Sequence, residues 1–331
     1  PPPRTTLELD RRQRQMCIRD RDIIVQDINN NLYLVSNRGK ILWKKQLQGP
    51  VLGKIEQIDI YRNGRLQLVF ATPKRVYVLD RGGRNVSPFP IKFKNDITQP
   101  LSVFDYDKNK DYRLLVIQGN NLIMYSTKAR IVSGFKFRTA KSEIVTQPKH
   151  IRNGTKDYIT FKTNSKLYIL NRIGKDRVVP KTKHSFSNEP IFFYDNTFTT
   201  TTDASELILV DTKGNTEVKN LNLSENHYLE STSKTLVTLS ENKLTIKNKT
   251  IELDYGNYTR PKIFYLNDKI YVSVTDLQSQ KIYLFDSQAK SISNFPVYGN
   301  SSIELNNIDS DKNLEFVTKG DDNSIILYQI N

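Results

Sequence analysis

The chain repeats itself. A short apolar stretch followed by a polar turn recurs as NLYLVSNRGK (31–40), RVYVLDRGGR (75–84), NLIMYSTKAR (121–130) and KLYILNRIGK (166–175). It returns as ELILVDTKGN (206–215), KLTIKNKT (243–250), KIYLFDSQAK (281–290) and SIILYQIN (324–331). Aligned on Tyr33, Tyr77, Ile123, Tyr168, Ile208, Thr245, Tyr283 and Leu327, the copies are spaced by 44, 46, 45, 40, 37, 38 and 44 residues. No other feature constrains the fold as much, because a unit of this size cannot bury its own apolar face and must stack on the next. The choice narrows to a propeller or a solenoid.

Two further elements keep phase with these anchors. An apolar stretch ending in a Phe-Pro or Phe-Lys pair follows the turn in NVSPFPIKF (85–93), IVSGFKF (131–137) and SISNFPVYG (291–299). A Thr-Gln-Pro or Thr-Arg-Pro step then opens the next unit, in ITQPLSVFDYD (97–107), VTQPKHI (145–151) and YTRPKIFYL (258–266). Proline at the first residue of a strand is tolerated because no ladder donor is lost there. Each unit reads as four short strands joined by polar turns, and no stretch has the period of a long amphipathic helix. The β-branched run TFTTTTD (197–203) fits the same strand pattern. Helical solenoids are excluded, and the expectation is an all-β propeller of four-stranded blades.

The stretch NLYLVSNRGKILWKKQLQG (31–49) resembles the PQQ-like propeller repeat, with its Leu-Tyr pair, glycine turn, Leu-Trp and closing glycine. FDYDKNKDYRLLV (104–116) and NIDSDKNLEFV (307–317) resemble the FG-GAP or VCBS propeller repeat. Both resemblances imply a β-propeller. The region as a whole also resembles the C-terminal part of large flavobacterial proteins that carry a ribonuclease HII label. The residues do not support that activity. Such a nuclease needs clustered carboxylates holding magnesium on a mixed α/β core, and residues 22–331 are strand repeats throughout. Quinone catalysis is not expected either, since it would bring more tryptophans and a cysteine pair against the cofactor. Residues 22–331 hold Trp43 alone and no cysteine.

The stretch DRRQRQMCIRDR (10–21) breaks the pattern, and it holds Cys17, the chain's one cysteine. Back-translated, it reproduces, apart from its terminal bases, the read-one adapter of transposon-based sequencing libraries. Pro2–Thr6 lies one base change from a translated flow-cell primer. Residues 1–21 are therefore expected to be a non-native, disordered tail, set aside like an expression tag, and residues 22–331 a single propeller domain. On this reading the natural N-terminus lies upstream, the first unit lacks its opening strand and the last lacks its closing strand. Eight anchors predict eight blades with incomplete terminal blades; seven is the alternative. Without the tail's six arginines and three acids the net charge falls from +15 to +12.

No apolar run approaches the ~20 residues needed to span a membrane. Absence of cysteine from 22–331 leaves no disulfide framework or thiolate metal site there, which suits cytoplasm, periplasm and cell surface alike. The excess charge is mostly lysine spread among asparagines. Nucleic-acid binding would want basic residues gathered on one face with aromatics interleaved, so the lysines are read as a solvated surface.

The sharpest local motif is DYDKNKD, which sets Asp105, Asp107, Asn109 and Asp111 at every second position. It recurs as Asp309, Asp311, Asn313 and Glu315 in DSDKNLE. Alternating carboxylate and amide oxygens on a tight loop suit calcium, which takes hard oxygen ligands. An EF-hand would need Gly at 110 and Glu at 116, where Lys110 and Val116 stand; the FG-GAP loop it resembles needs neither. The competing reading is that Asp and Asn cap a turn with their own side chains. DIYRNGR (59–65) occupies the same place with Tyr61 and Arg65 at ligand positions, so the turn does not depend on a metal. The three histidines, His150, His184 and His227, lie in separate units without metal-ligand spacing. No nucleophile elbow, P-loop or dinucleotide fingerprint is present.

The expected function is a non-catalytic, monomeric binding or scaffolding module of a larger, exported bacterial protein, in the periplasm or at the cell surface. Its partner would be a protein or a glycan, with no cofactor beyond calcium. Two rivals stand. Carboxylates or histidine facing the propeller channel would favour a hydrolase or lyase, and a basic stripe crossing several blades would favour nucleic acid.

Overall fold

The computed structural model describes the backbone of residues 15–19 and residues 22–309, 311–321 and 324–330 in full. These residues are all-β, without a helix, so no helix is long and apolar enough to cross a membrane. They form eight antiparallel sheets, each built from strands consecutive in the chain. The fold is an eight-bladed β-propeller.

The chain divides into two compact units, one comprising Gln48–Asn222 and the other Pro1–Leu47 with Leu223–Asn331. The first of these holds the second to fifth sheets. The second sheet is Leu52–Ile58, Gln67–Thr72, Arg75–Leu79 and Ile91–Lys92; the third is Ser102–Phe104, Arg113–Gln118 and Asn121–Ser126. The fourth is Lys149–Asn153, Lys156–Thr163, Lys166–Leu170 and Asp176–Val178; the fifth is Phe192–Tyr194, Thr197–Thr201, Leu207–Val210 and Thr216–Lys219.

The other unit holds four sheets. The first is Gln15–Arg19, Asp22–Gln26, Asn31–Ser36 and Ile41–Gln46; the sixth is His227–Ser231, Leu236–Ser240, Lys243–Ile246 and Lys249–Glu252. The seventh is Lys262–Leu266, Lys269–Asp276, Lys281–Asp286 and Val297–Tyr298; the eighth is Glu304–Asn306, Leu314–Lys319 and Ile325–Ile330.

All eight repeat anchors fall on the third strand of their sheets. There each faces an inner residue of the second strand, as Tyr77 faces Phe70 and Tyr168 faces Phe161. Those two pairs stack with ring centroids 5.3 and 4.9 Å apart, worth about 0.5–1.5 kcal/mol each beyond their burial.

The Phe-Pro and Phe-Lys stretches seal the outer edge. Phe89 and Phe135 are buried, while the strand beside them shrinks to Ile91–Lys92 in the second sheet. In the third sheet it is reduced to the bridges Tyr125↔Ile131 and Asn121↔Thr139. Proline and glycine in these stretches cannot sustain a ladder, and so the third sheet has three strands.

The Thr-Gln-Pro step proves to be a tether as well as a strand start. The hydroxyls of Thr98, Thr146 and Thr259 accept the N–H of Gly119, Lys162 and Thr275 at 3.0–3.1 Å. The middle residue then crosses to the neighbouring sheet. Gln147 Nε2 donates to Leu101 O (2.8 Å), Gln99 Nε2 to Ile144 O (3.2 Å) and Arg260 to Leu229 O (3.1 Å).

One expectation is corrected. Residues 15–19, read as part of a strandless tail, form the opening strand of the first sheet and pair antiparallel with Asp22–Gln26. The physical reason lies in the neighbour: an open strand edge presents a row of unpaired N–H and C=O groups to any extended segment that reaches it. Residues 1–14, 20 and 21 lie outside the described residues. The eighth sheet, like the third, has three described strands.

Candidate functional site

The two acidic loops occupy the same place, between the first and second strands of the third and eighth sheets, but their side chains do different things. In the 105–111 loop, Asp105 accepts the N–H of Asn109 (3.1 Å) and Lys110 (2.9 Å), and Asn109 Oδ1 accepts that of Asp111 (3.0 Å). The turn at 59–65, with Tyr61 and Arg65 where the other loop has acids, has the same bonds: Asp59 accepts from Asn63 (3.1 Å) and Gly64 (2.9 Å), and Asn63 from Arg65 (3.0 Å). Both turns place left-handed residues at matching points, Arg62 and Gly64 in one, Lys108 and Lys110 in the other.

The remaining acids of this loop are engaged by cations. Arg172 forks onto Asp107 at 2.6 and 2.9 Å, and Arg113 onto Asp111 at 2.6 and 2.8 Å. These guanidinium bonds hold both carboxyls below the ordinary range. Lys110 Nζ reaches Asp59 at 2.6 Å and lowers that carboxyl likewise.

The 309–315 loop brings its acids together instead. Carboxylate oxygens of Asp309, Asp311 and Glu315 lie within 4.8 Å of one another. Asp309 and Asp311 cap the turn through the N–H of Asp311 (3.0 Å) and Asn313 (2.6 Å). Asn313 gives its side-chain amide to Asp311 at 3.3 Å. Glu315 is 3% exposed; one oxygen accepts Ile308 N–H at 2.9 Å, and the Gln329 side chain bonds to the same carboxyl. Burial, helped by the charges of Asp309 and Asp311, raises the Glu315 carboxyl above its usual range despite the Ile308 bond.

Sequence reasoning missed a third feature. Arg172, in the turn after the third strand of the fourth sheet, also donates Nε to Asp157 Oδ2 at 2.6 Å, and His150 Nε2 meets Asp157 Oδ1 at 2.7 Å. Burial works to raise Asp157, but the bonds from His150 and Arg172 outweigh it and keep the carboxyl low. The His150 ring packs against Phe104 and Tyr106, with centroids 5.6 and 4.9 Å away. His150 and Asp105 line an open cleft of about 350 Å³ formed by the first strands of the second to fifth sheets. Glu56, Lys149, Phe192 and Phe193 share its wall, with Lys149 Nζ 3.7 Å from the Phe192 ring centroid. No spacing announces this site, because its residues come from four repeats. His184 and His227 stand elsewhere, on Thr182 (2.7 Å) and Ser224 O (2.9 Å).

No protein-family model matches the chain, and no curated protein matches it. Solved structures do. BamB from Moraxella catarrhalis aligns over 95% of this chain and 96% of its own, with a TM-score of 0.63 at 14% identity. The computationally designed protein Ika8 aligns over 99% and 100%, with a TM-score of 0.67 at 10% identity. BBS1N, solved in complex with ARL6DN, aligns over 94% and 87%, with a TM-score of 0.54 at 10% identity. At these identities the likeness is one of architecture, and it agrees with the eight sheets above: the chain has the β-propeller fold.

Proposed function

We propose that this propeller is a non-catalytic module that binds another protein through the cleft between Glu56 and Phe193. The observation that carries the reading is the cleft itself, where aromatic side chains and both signs of charge sit on the first strands of four consecutive sheets. Aromatic anchors beside charged groups on rigid strands suit a protein-binding surface, since little side-chain entropy is lost on docking. Its structural neighbour BBS1N, held in a complex with ARL6DN, supports the reading by analogy of fold.

A second reading, an enzyme, has one observation in its favour: His150, Asp105 and Glu56 do face the cleft. A general base needs an atom free to reach the proton it abstracts. His150 Nε2 is held on Asp157 Oδ1 at 2.7 Å, and Asp105 accepts the N–H of Asn109 and Lys110. Ser102, the one hydroxyl residue lining the cleft, donates to Pro148 O at 2.6 Å. Binding is therefore the better account.

The test is a photo-crosslinking amino acid placed at Phe193 and, separately, at Val218 on the fifth sheet, in cells that make the full protein. A discrete protein adduct at Phe193 alone, lost when Lys149→Glu is added, is expected. Equal labelling at both positions, or an adduct indifferent to Lys149→Glu, would overturn the proposal.

A further inference from the structure

The fourth and fifth sheets close on an apolar cluster that includes Tyr158, Leu167, Phe186, Ile191 and Phe198. One ionisable side chain is built into the same seam. Lys162, on the second strand of the fourth sheet, is 0% exposed. Lysine is almost never fully buried unless an anion pairs with it, yet Lys162 forms no ion pair with a described residue. The carboxylate that bears on it from a distance is buried Glu189, in the link that leads into the fifth sheet.

The amine reaches across to the neighbouring sheet. Lys162 Nζ donates to Thr200 Oγ1, on the second strand of the fifth sheet, at 2.6 Å, and Thr200 gives its own proton to Glu189 O at 3.1 Å. The Phe186 ring centroid lies 5.6 Å from Nζ. An ammonium has three protons to place, and a charged donor short of acceptors inside a protein is costly. Burial accordingly pulls the Lys162 amine down to about 7, with the charge of Glu189 opposing it. The other cations on this face of the fourth sheet, Lys149 and Arg177, rest on the rings of Phe192 and Tyr158 at 3.7 and 5.5 Å.

We propose that Lys162 is a proton-linked latch between the fourth and fifth sheets, fastened as a neutral amine and released when the opening seam lets it take up a proton. In water the amine recovers the ordinary lysine pKa of about 10.4. Between that value and the lower one of the closed seam, the open form holds one proton more than the closed form. Opening is therefore favoured as pH falls across this window and opposed as it rises. Below the closed-seam value both forms carry the proton, and the dependence ends. The same two sheets supply Lys149, His150, Phe192 and Phe193 to the cleft, so the latch sets how firmly that wall is held, whatever the cleft binds.

The test is hydrogen exchange of the full chain between about pH 7 and pH 9, each amide corrected for its unprotected rate. The opening constant at 158–163 and 198–201 should fall roughly fifty-fold across that range, as one proton linked between about 7 and about 10.4 requires. Amides 114–117 of the third sheet, whose apolar cluster with the second sheet contains no lysine, should show no such slope. Lys162→Met should flatten the slope at the seam, and Lys162→Gln takes its place if the methionine variant does not fold. The inference is overturned by a flat profile at the wild-type seam or by an equal slope at 114–117. A slope that survives removal of the amine overturns it as well.

Discussion

The loops at 105–111 and 309–315 share a sequence pattern and a place in the repeat, and they differ in who answers their charge. At 105–111, Arg172 reaches in from the next sheet and Arg113 from the following strand, so Asp107 and Asp111 each have a cation and the turn is closed by Asp105 and Asn109. At 309–315 the acids face one another, and buried Glu315 is met by Ile308 N–H and Gln329 instead of a cation. The difference teaches that a ligand pattern is only an offer of oxygens. Whether the offer is open depends on side chains far away in sequence, since Arg172 lies 65 residues beyond Asp107.

The comparison breaks most visibly at Arg172. Arg172→Ala strips a partner from buried Asp157 and from Asp107, and is expected to cost about 3 kcal/mol, lowering the melting temperature by roughly 5 °C or more. A thermal melt within 1 °C of wild type would mean the two acids do not depend on it.

The same contrast should fade in acid. The Asp157 carboxyl is held below its unfolded value, so its contribution is present above the ordinary aspartate pKa of about 3.9 and is lost as pH falls through the lower folded value. The gap between wild type and Arg172→Ala should therefore be full at pH 6 and shrink below pH 4. A gap that stays constant down to pH 2.5 would exclude Asp157 as its source.

Relief of repulsion is a smaller effect, with opposite signs in the two loops. In chelator, Asp309→Asn with Asp311→Asn keeps the oxygens that accept the turn's N–H groups and removes two like charges. Melting should rise by about 2 °C, consistent with about 1 kcal/mol of Coulomb energy between exposed charges at this spacing. Asp107→Asn should instead lower it, because it loses an arginine. Equal responses would erase the distinction. Smallest is the turn itself: Asn63→Ala and Asn109→Ala should each cost about 1 kcal/mol, the value of one hydrogen bond. Unequal losses would show that 105–111 is more than a copy of the turn at 59–65.

The architecture was legible because it is periodic. Tyr33, Tyr77 and Tyr168 recur where the third strand must bury a side chain, and that signal survives without knowledge of any contact. The Phe-Pro and Phe-Lys stretches were half legible: Val86, Phe89 and Phe135 are buried as the pattern implies, but Ile131 is exposed, and proline and glycine leave only fragments of a fourth strand. The opening strand at Gln15–Arg19 was missed because edge pairing is a property of the neighbour and not of the segment. The acidic loops were legible as turns. Their electrostatics was not, because Arg172 and the burial of Glu315 are set by packing between sheets. The cleft was invisible for the same reason, each sheet lending it a few residues.

That every sheet is made of consecutive strands has a consequence for how the chain comes to be folded. Hairpin partners are near in sequence, so loop-closure entropy is small for each sheet, and contact order within a sheet is low. At ribosomal rates of about 5–20 residues per second, a fresh sheet would complete itself every few seconds during synthesis. Each would find its neighbour already folded on the N-terminal side. Assembly by accretion of this kind leaves two apolar faces exposed at any moment, the growing one and that of the first sheet, which Val317 and Ile325 of the eighth sheet cover last.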